Sequence, residues 1–418
     1  MTLTQWKSKS LGYILEKVVG GGTPSKAKPQ YWDGDIPWAS VKDLSSTKLD
    51  DTADKISEEG LNNSASNLIP AETIVIPTRM ALGKVAITTQ AMAINQDLKA
   101  LFPSKEVCKS YLFQWLIFHA EQIASLGSGS TVKGIRLEQL KKIPFSYPTL
   151  KEEQQKIAEI LSTVDKKIDL IDQKIAETEK LKIGLMQKLF SEGVGVQDEN
   201  GEWQPHAEFQ DNGLPMHWSF LKLGSVAKVT SGGTPSRKKA SFWENGTIPW
   251  ITTGEVNFNC ITNSSQKITD EGLKNSAAKM FPPDTILMAM YGQGQTRGRV
   301  AMLGIEASTN QACAAIICSK KLNPHFCYHY LSSQYEKIRT IGNEGSQKNL
   351  NGQIIKDILI PCPNLEEQEQ IALVLSTVDE KITLLAKQKS ETQKLKKGLM
   401  QKLLTGEWRV PVEETEAA

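Results

Sequence analysis

The sequence predicts an α+β protein built from two tandem copies of one unit, in which a globular region precedes a long helix. The first observation is a repeat: residues 152–189 and 366–403 align without a gap at a constant offset of 214 positions. The second is that apolar residues in both stretches recur at alternating steps of three and four, the pattern of a coiled-coil seam. The third is that the regions between them mix short β-branched runs with a helical run.

The order of these patterns along the chain predicts six segments. Pro148 and Pro363 precede the repeated stretches, and Gly193 and Gly406 follow them, as is typical of helix boundaries. The segments are a first globular region (1–147), a first long helix (148–192), a linker (193–216), a second globular region (217–362), a second long helix (363–406) and a C-terminal tail (407–418).

Within the first globular region, two runs predict strands and one predicts a helix. Residues 73–76 and 85–88 are rich in β-branched side chains, and residues 111–123 (YLFQWLIFHAEQI) have a helical pattern. Gly, Pro and Asn separate these runs and indicate loops. Short strands with a few helices in each copy favour the α+β class.

Each long helix needs a partner to be stable, because a single amphipathic helix would leave its apolar face in water. At 1.5 Å per residue it would be roughly 57 Å long. We expect the two copies in this chain to pair with each other as an antiparallel coiled coil, which would place the globular regions at opposite ends. The alternative is a coiled coil that dimerises the protein. The predicted seam consists of Ile157, Leu161, Val164, Ile168, Ile171, Ile175, Ile371, Leu375, Val378, Ile382 and Leu385.

The repeat extends into the globular regions. GGTPSKAKPQYWDGDIPW (residues 21–38) corresponds to GGTPSRKKASFWENGTIPW (residues 232–250), and KISEEGLNNSA (residues 55–65) to KITDEGLKNSA (residues 267–277). A period this long indicates a duplicated domain rather than a solenoid.

Composition is that of a soluble globular protein, and we expect a cytoplasmic one. The net charge is only +2, less than that of most strong nucleic-acid binders. The N-terminus has no apolar signal region, no apolar run approaches the length of a membrane span, and the six cysteines are scattered, so reduced thiols are expected.

Several polar loops are candidates for DNA contact. GQGQTRG (residues 292–298) lacks the dinucleotide-binding spacing, which leaves a basic loop or a plain surface hairpin. The loops at residues 127–136 and 342–351 combine small residues with cations that suit phosphate, or they are merely mobile. Asn-Gln pairs at residues 95–96 and 310–311 can pair with adenine or cap turns. The candidate residues are Arg79, Lys84, Asn95, Gln96, Thr131, Lys133, Arg136, Gln293, Gln295, Arg297, Arg299, Asn310, Gln311, Lys348 and Asn349.

Three further patterns have a structural explanation beside the functional one. The GGTP turns could cradle phosphate through backbone N–H groups, or simply lead out of a strand. The tryptophans of the same segments could stack on bases, but we favour packed corners. Cysteines and histidines at residues 313–329 suggest zinc, but the spacing is poor and only Cys108 corresponds in the first copy, opposite Cys327. We therefore predict no metal.

No catalytic motif is present. The sequence contains no G-x-S-x-G, H-E-x-x-H, P-loop or NPPY-type motif, and four of its five histidines lie after the first repeated helix. A duplicated enzyme would be expected to duplicate its acid–base residues, so we predict a protein that is not itself an enzyme.

The chain resembles the specificity (S) subunits of Type I restriction-modification systems. The resemblance rests on two nearly identical helices that alternate with two divergent globular regions, and on the GGTPS, IPW, NQ and LMQKL segments. It implies two target recognition domains, each reading half of a bipartite DNA sequence, with the helices setting the gap. It also implies two modification (M) subunits that carry S-adenosylmethionine, restriction (R) subunits that use ATP and Mg²⁺ where the system cleaves DNA, and no cofactor on this chain. The alternative is a coiled-coil scaffold that binds no specific DNA sequence.

Overall fold

The computed structural model describes residues 5–129, 133–292, 295–341 and 349–412. It divides into two compact units, the first made of residues 1–172 and 387–418 and the second of residues 173–386. Each unit contains one globular region, and the two long helices each contribute one part to either unit.

The described residues of the first globular region form eleven strands, five short α-helices and two 3₁₀ turns (Pro29–Tyr31 and Val41–Asp43). Its strands are β1 (Trp6–Ser10), β2 (Leu15–Gly20), β3 (Ile36–Ala39), β4 (Lys48–Leu49), β5 (Asp54–Ile56), β6 (Asn67–Ile69), β7 (Ile74–Pro77), β8 (Ala86–Thr88), β9 (Met92–Ile94), β10 (Leu98–Pro103) and β11 (Pro144–Pro148). Its helices are α1 (Leu11–Ile14), α2 (Glu58–Asn62), α3 (Lys109–Phe118), α4 (Ala120–Ser125) and α5 (Leu137–Lys141).

The first long helix, α6 (Lys151–Leu189), is followed by a hairpin of β12 (Val196–Gln197) and β13 (Trp203–Gln204). This hairpin lies in the segment predicted as a linker.

The second globular region repeats the same succession of elements. Its strands are β14 (Ser219–Lys222), β15 (Ala227–Ser231), β16 (Ile248–Ile251), β17 (Cys260–Ile261), β18 (Lys267–Ile268), β19 (Met280–Phe281), β20 (Ile286–Ala289), β21 (Val300–Leu303), β22 (Ala307–Thr309), β23 (Cys313–Cys318) and β24 (Leu359–Cys362). Its helices are α7 (Leu223–Val226), α8 (Asp270–Lys274), α9 (Pro324–Ser333), α10 (Tyr335–Thr340) and α11 (Gly352–Lys356), and the second long helix is α12 (Leu365–Leu404).

The two regions have the same sheet topology. The first has a five-stranded sheet in the order β2-β10-β7-β8-β4, a four-stranded sheet in the order β5-β3-β9-β6 and the pair β1-β11. The second has β15-β23-β20-β21-β17, β18-β16-β22-β19 and β14-β24. The predicted tandem α+β architecture is confirmed, and its duplication is complete at the level of strand order.

The helix predicted over residues 111–123 is broken into α3 and α4 at His119. The imidazole of His119 stacks on Trp115, with ring centroids 3.8 Å apart, and its Nδ1 lies 2.9 Å from the Trp115 carbonyl oxygen. These contacts stabilise a non-helical turn at His119, whose backbone has φ −93° and ψ 14°. The pattern of apolar residues did not predict this break.

A buried glutamine joins each long helix to its globular region. Gln154 accepts from the backbone N–H of Cys108 and donates to the carbonyl oxygens of Glu106 and Pro148. Gln368 makes the same set of bonds with Asn323, Lys321 and Pro363. Cys108 therefore corresponds to Asn323, and the sequence-based pairing of Cys108 with Cys327 was wrong.

Ion pairs place α6 and α12 side by side. In the first unit Asp165 pairs with Lys396 at 2.6 Å and Asp172 with Lys389 at 2.5 Å. A step forward along α6 is matched by an equal step backward along α12, so this contact is antiparallel. In the second unit Lys182 pairs with Asp379 at 2.5 Å.

The predicted seam residues are buried or half-buried at every position. Ile157 and Leu161 join the core of the first region together with Met400 and Leu403 near the end of α12. In the second unit, Ile371 and Leu375 join the core together with residues near the end of α6, which include Met186 and Leu189. The start of each helix thus packs on its own globular region as well as on the other helix.

Candidate nucleic-acid interface

The Asn-Gln pairs divide into one internal and one external side chain. Asn95 is buried, and its Oδ1 accepts from the backbone N–H groups of Asp97 and Leu98 at 3.1 Å each. Asn310 is half-buried and accepts from the backbone N–H of Ala312 at 3.1 Å. These bonds are those of a capped turn, so the structure places both asparagines in the turn before β10 and β23.

The neighbouring glutamines are exposed, and each is held by a threonine hydroxyl. Thr23 Oγ1 donates to Gln96 Oε1 at 2.5 Å, and Thr234 Oγ1 donates to Gln311 Oε1 at 2.5 Å. All four side chains face solvent. The amide N–H₂ groups of the glutamines, which the threonines do not use, can donate to a ligand.

The threonines belong to the loops of residues 21–25 and 232–236, both GGTPS, which we call the GGTPS loops. A Cβ atom on Gly21 would lie 1.8 Å from the carbonyl oxygen of Ile94, and one on Gly232 would lie 2.0 Å from that of Thr309. Only glycine permits this approach of two backbones. The close packing explains why both loops begin with glycine.

The backbone N–H groups of the second glycines are already used. Gly22 donates to the Ile94 carbonyl oxygen at 3.1 Å, and Gly233 donates to that of Thr309 at 2.9 Å. These N–H groups therefore cannot cradle a phosphate. For them the structural explanation holds, namely a turn that leads out of a strand.

Two indole groups hold each GGTPS loop. Trp38 Nε1 donates to the carbonyl oxygen of Gly22 at 3.0 Å, and Trp32 Nε1 donates to that of Ser25 at 3.3 Å. The two rings meet edge to face with centroids 5.0 Å apart. The inner indole of each pair, Trp38 or Trp250, is buried.

The second copy repeats this arrangement. Trp250 Nε1 donates to Gly233 at 2.9 Å, Trp243 Nε1 donates to Ser236 at 3.1 Å, and the ring centroids are again 5.0 Å apart. The tryptophans thus support the loops from within, as favoured from sequence.

In the first region, two cations lie next to the Asn95-Gln96 turn. Lys99 Nζ donates to the Gln96 carbonyl oxygen at 2.7 Å, and Arg79 lies 3.9 Å from Asp97. Partial burial lowers the pKa of Lys99, an effect opposed by Asp97. The backbone of Met80 bonds to Lys133 at 3.0 Å, which brings two of the predicted loops together.

Two other first-region candidates lie elsewhere. Lys84 is exposed, but its Nζ donates to the carbonyl oxygen of Leu44 at 2.7 Å. Arg136 immediately precedes α5 and is also exposed. Neither contacts the GGTPS loop in the hydrogen bonds that the structure describes.

In the second region the predicted arginines face inward more than expected. Arg299 donates to Asn257 at 2.8 Å and to Gln295 at 3.3 Å, whereas Arg297 donates to the carbonyl oxygen of Arg339 on α10. Both arginines are half-buried, and they fix the loop between β20 and β21 onto its own domain.

Asn349 is half-buried, and the next residue, Leu350, bonds through its backbone N–H to Met290 at 3.0 Å. The loop before β21 and the loop before α11 therefore meet, as their counterparts do in the first region. The remaining candidates, Thr131, Gln293 and Lys348, lie outside the described residues.

The cysteines and histidines that suggested zinc do not form a ligand set. Cys313 and Cys327 are buried, and burial raises the pKa of the Cys313 thiol to about 12. Among the described residues, no group of three or more His, Cys, Asp or Glu side chains is placed to hold a metal ion. Every helix among these residues is too short or too polar to cross a membrane.

The sequence matches the family described as the Type I restriction modification DNA specificity domain over residues 4–180 and again over residues 215–394. The chain belongs to this family and carries two copies of its domain. The tandem match agrees with the duplicated topology.

One relative matches over nearly the whole chain, and another matches more closely over part of it. The Type I restriction enzyme MjaIX specificity subunit of Methanocaldococcus jannaschii is 27% identical over 97% of this chain and 94% of its own length. The EcoR124I/EcoR124II specificity subunit of Escherichia coli is 36% identical over 38% of this chain and 40% of its own length.

A solved structure has the same fold. The Type I restriction-modification S subunit from M. genitalium superposes with a TM-score of 0.62 over 96% of both chains, at 18% sequence identity.

Proposed function

We propose that this chain is the DNA-reading, non-catalytic subunit of a Type I restriction-modification complex. The observation that carries the proposal is the contrast between the two copies. Their strand order, GGTPS loops and long helices agree, whereas the loops after β7 (TRMALGKV, residues 78–85) and after β20 (MYGQGQTRGR, residues 290–299) differ in length and sequence. Two domains with the same fold but different loops suit one molecule that reads two different half-sites.

The equal surfaces of the helices suit two equal protein partners. Leu170 on α6 and Leu384 on α12 are equivalent positions and are 56% and 51% exposed. Leu181 and Leu395 are likewise equivalent, and both are 56% exposed. The two pairs give both helices matching exposed apolar positions. We propose that they dock two M subunits, with a possible R subunit joining the complex.

The chemistry then belongs to the partners. In this proposal the M subunits bind S-adenosylmethionine and methylate adenine, and R subunits use ATP and Mg²⁺. This chain supplies only the target sequence and the scaffold. Access to chromosomal DNA requires that the complex work in the cytoplasm.

The test is the pattern of adenine methylation across a host genome, measured by long-read sequencing with and without this gene. We expect one bipartite, gapped motif to disappear on deletion and return on complementation. If the methylated motifs stay unchanged while the M subunit is expressed, the chain is a scaffold that binds no specific DNA sequence.

A further inference from the structure

The GGTPS loops present the same polar surface in both copies although little in the fold requires it. Thr23, Ser25 and Lys26 are exposed around the buried Pro24, and the second copy shows the same alternation. The glycines, the proline and the indoles account for packing. The exposed threonine, serine and cation do not pack in a hydrophobic core.

A positive charge follows each loop at the same position. Lys26 Nζ lies 5.9 Å from the ring centroid of Trp32, and the guanidinium carbon of Arg237 lies 3.6 Å from that of Trp243. Arg237 also donates to Gln266 at 2.5 Å. The aromatic faces orient these cations beside the loop.

The side chains of the loop are well fixed. Two indole N–H bonds hold the loop backbone, and the threonine hydroxyl is tied to the glutamine amide. The threonine hydroxyl uses its one hydrogen on the glutamine oxygen and so orients the amide, whose N–H₂ group and the neighbouring cation are donors that suit a phosphate oxygen. A rigid site also loses little conformational entropy on binding.

We infer that each GGTPS loop, with its glutamine and the following cation, is a clamp for one DNA phosphate. The site comprises Thr23, Gln96 and Lys26 in the first domain and Thr234, Gln311 and Arg237 in the second. The site is the same in two domains that differ elsewhere. This points to the phosphate backbone, the part of DNA that does not change with base sequence. This inference rests on the proposed function.

The test measures binding of the complex assembled with its M subunits. Duplexes with the methylated motif and with an unrelated sequence are titrated by fluorescence anisotropy at several salt concentrations. The variants are Lys26→Ala with Arg237→Ala, and Thr23→Val with Thr234→Val. The matched control is Lys105→Ala with Lys320→Ala, because these exposed lysines follow β10 and β23 at the sheet ends opposite to the loops.

We expect the lysine–arginine variant to bind both duplexes about tenfold to a hundredfold more weakly near 0.1 M salt. The slope of log affinity against log salt should fall by about 2, since two phosphate contacts are removed. The threonine variant should weaken both duplexes without a comparable change in slope. The methylated motif should stay the same, and the control should bind as the wild type does.

Three results would overturn the clamp. The first is binding equal to that of the control. The second is a loss confined to the motif duplex, which would assign the loop to base reading. The third is a loss of co-purifying M subunit, which would assign it to a protein interface. A wild-type complex that does not prefer the motif duplex would instead refute the proposed function, so the two failures are distinct.

Discussion

Gln114 on α3 and His329 on α9 occupy equivalent positions, and both link a globular region to a long helix. Gln114 Nε2 donates to Asp165 at 3.0 Å. His329 is buried, with Nε2 3.1 Å from Ser376 Oγ and Nδ1 3.8 Å from Asp379. The same junction is thus built from a residue that does not titrate in one unit and from one that does in the other.

The histidine makes the second unit sensitive to acid. Burial lowers the pKa of His329 to about 3, and the charges of Lys182 and His325 act in the same direction. Asp379 is the nearby anion, but it is paired with Lys182. The stabilisation that comes from keeping His329 neutral is fully present above the unfolded pKa of about 6.5. As the pH falls below that value, the unfolded state takes up a proton that the folded state does not, and the free energy of unfolding drops by up to about 1.4 kcal/mol per pH unit.

We therefore predict that His329→Gln reduces the loss of stability between pH 6.5 and 4.5, because the unfolded state then gains one proton fewer. The converse change, Gln114→His, should add such a loss in the first unit. The measurement is the unfolding temperature of each variant across this pH range. Equal pH dependence in the wild type and His329→Gln would show that His329 is protonated in the folded protein.

At the scale of elements, each long helix packs one face against the other helix and exposes leucines at equivalent positions on its outer face. The ion pair of Lys389 with Asp172 lies on the contact between α6 and α12 in the first unit. Leu170 and Leu395 are exposed in that unit, and Leu384 and Leu181 are exposed in the other. These exposed leucines occupy equivalent positions in the two units, which fits the proposed docking of two M subunits.

We predict that Leu170→Ser with Leu384→Ser lowers the amount of co-purified M subunit at least tenfold, because each change removes apolar area from one docking surface. The unfolding temperature of the isolated chain should change little. Leu68→Ser is the matched control, since Leu68 is 52% exposed and belongs to β6 of the four-stranded sheet, not to a long helix. Full recovery of M subunit by the double variant would contradict the docking surface.

The elements most accurately predicted are those whose pattern is local. The helices α6 and α12 follow from a long repeated stretch with alternating apolar steps of three and four. α6 begins and ends three residues inside the predicted segment 148–192, and α12 begins and ends two residues inside the predicted segment 363–406. The break at His119 depends on a stacking contact, which a helical pattern does not show. The hairpin formed by β12 and β13 is too short and polar to give a strand pattern.

The candidate site shows the same limit. Internal comparison of the copies located the Asn-Gln pairs, but only the fold shows that Asn95 caps a turn and that Gln96 meets Thr23. Composition indicated that Arg297 is a surface cation, whereas the structure has it bonded to α10. Lys26 and Arg237 were not selected, although their repeated place after GGTPS was a visible signal.

At the scale of the whole molecule, the proposed function makes the length of the paired helices a determinant of the DNA target. The family resemblance implies that the helices set the gap between half-sites. Changing this length without disturbing the pairing requires insertions at opposed positions. In the second unit Lys182 faces Asp379. Because the helices are antiparallel, seven residues back along α6 and seven forward along α12 place Ile175 opposite Ala386. The peptide bond after Ile175 therefore faces the one after Leu385.

We predict that inserting four residues after Ile175 and four after Leu385 lengthens the gap in the methylated motif while both half-sites stay the same. Four helical residues add about 6 Å, close to two base pairs at about 3.4 Å each. Long-read methylation sequencing of a host that carries the variant measures the gap directly. An insertion after Ile175 alone is the control, since it displaces one helix against the other and should lower the unfolding temperature. A double-insertion variant that methylates the original motif would show that the helices do not set the spacing, and the gap would then have to be fixed by the M subunits.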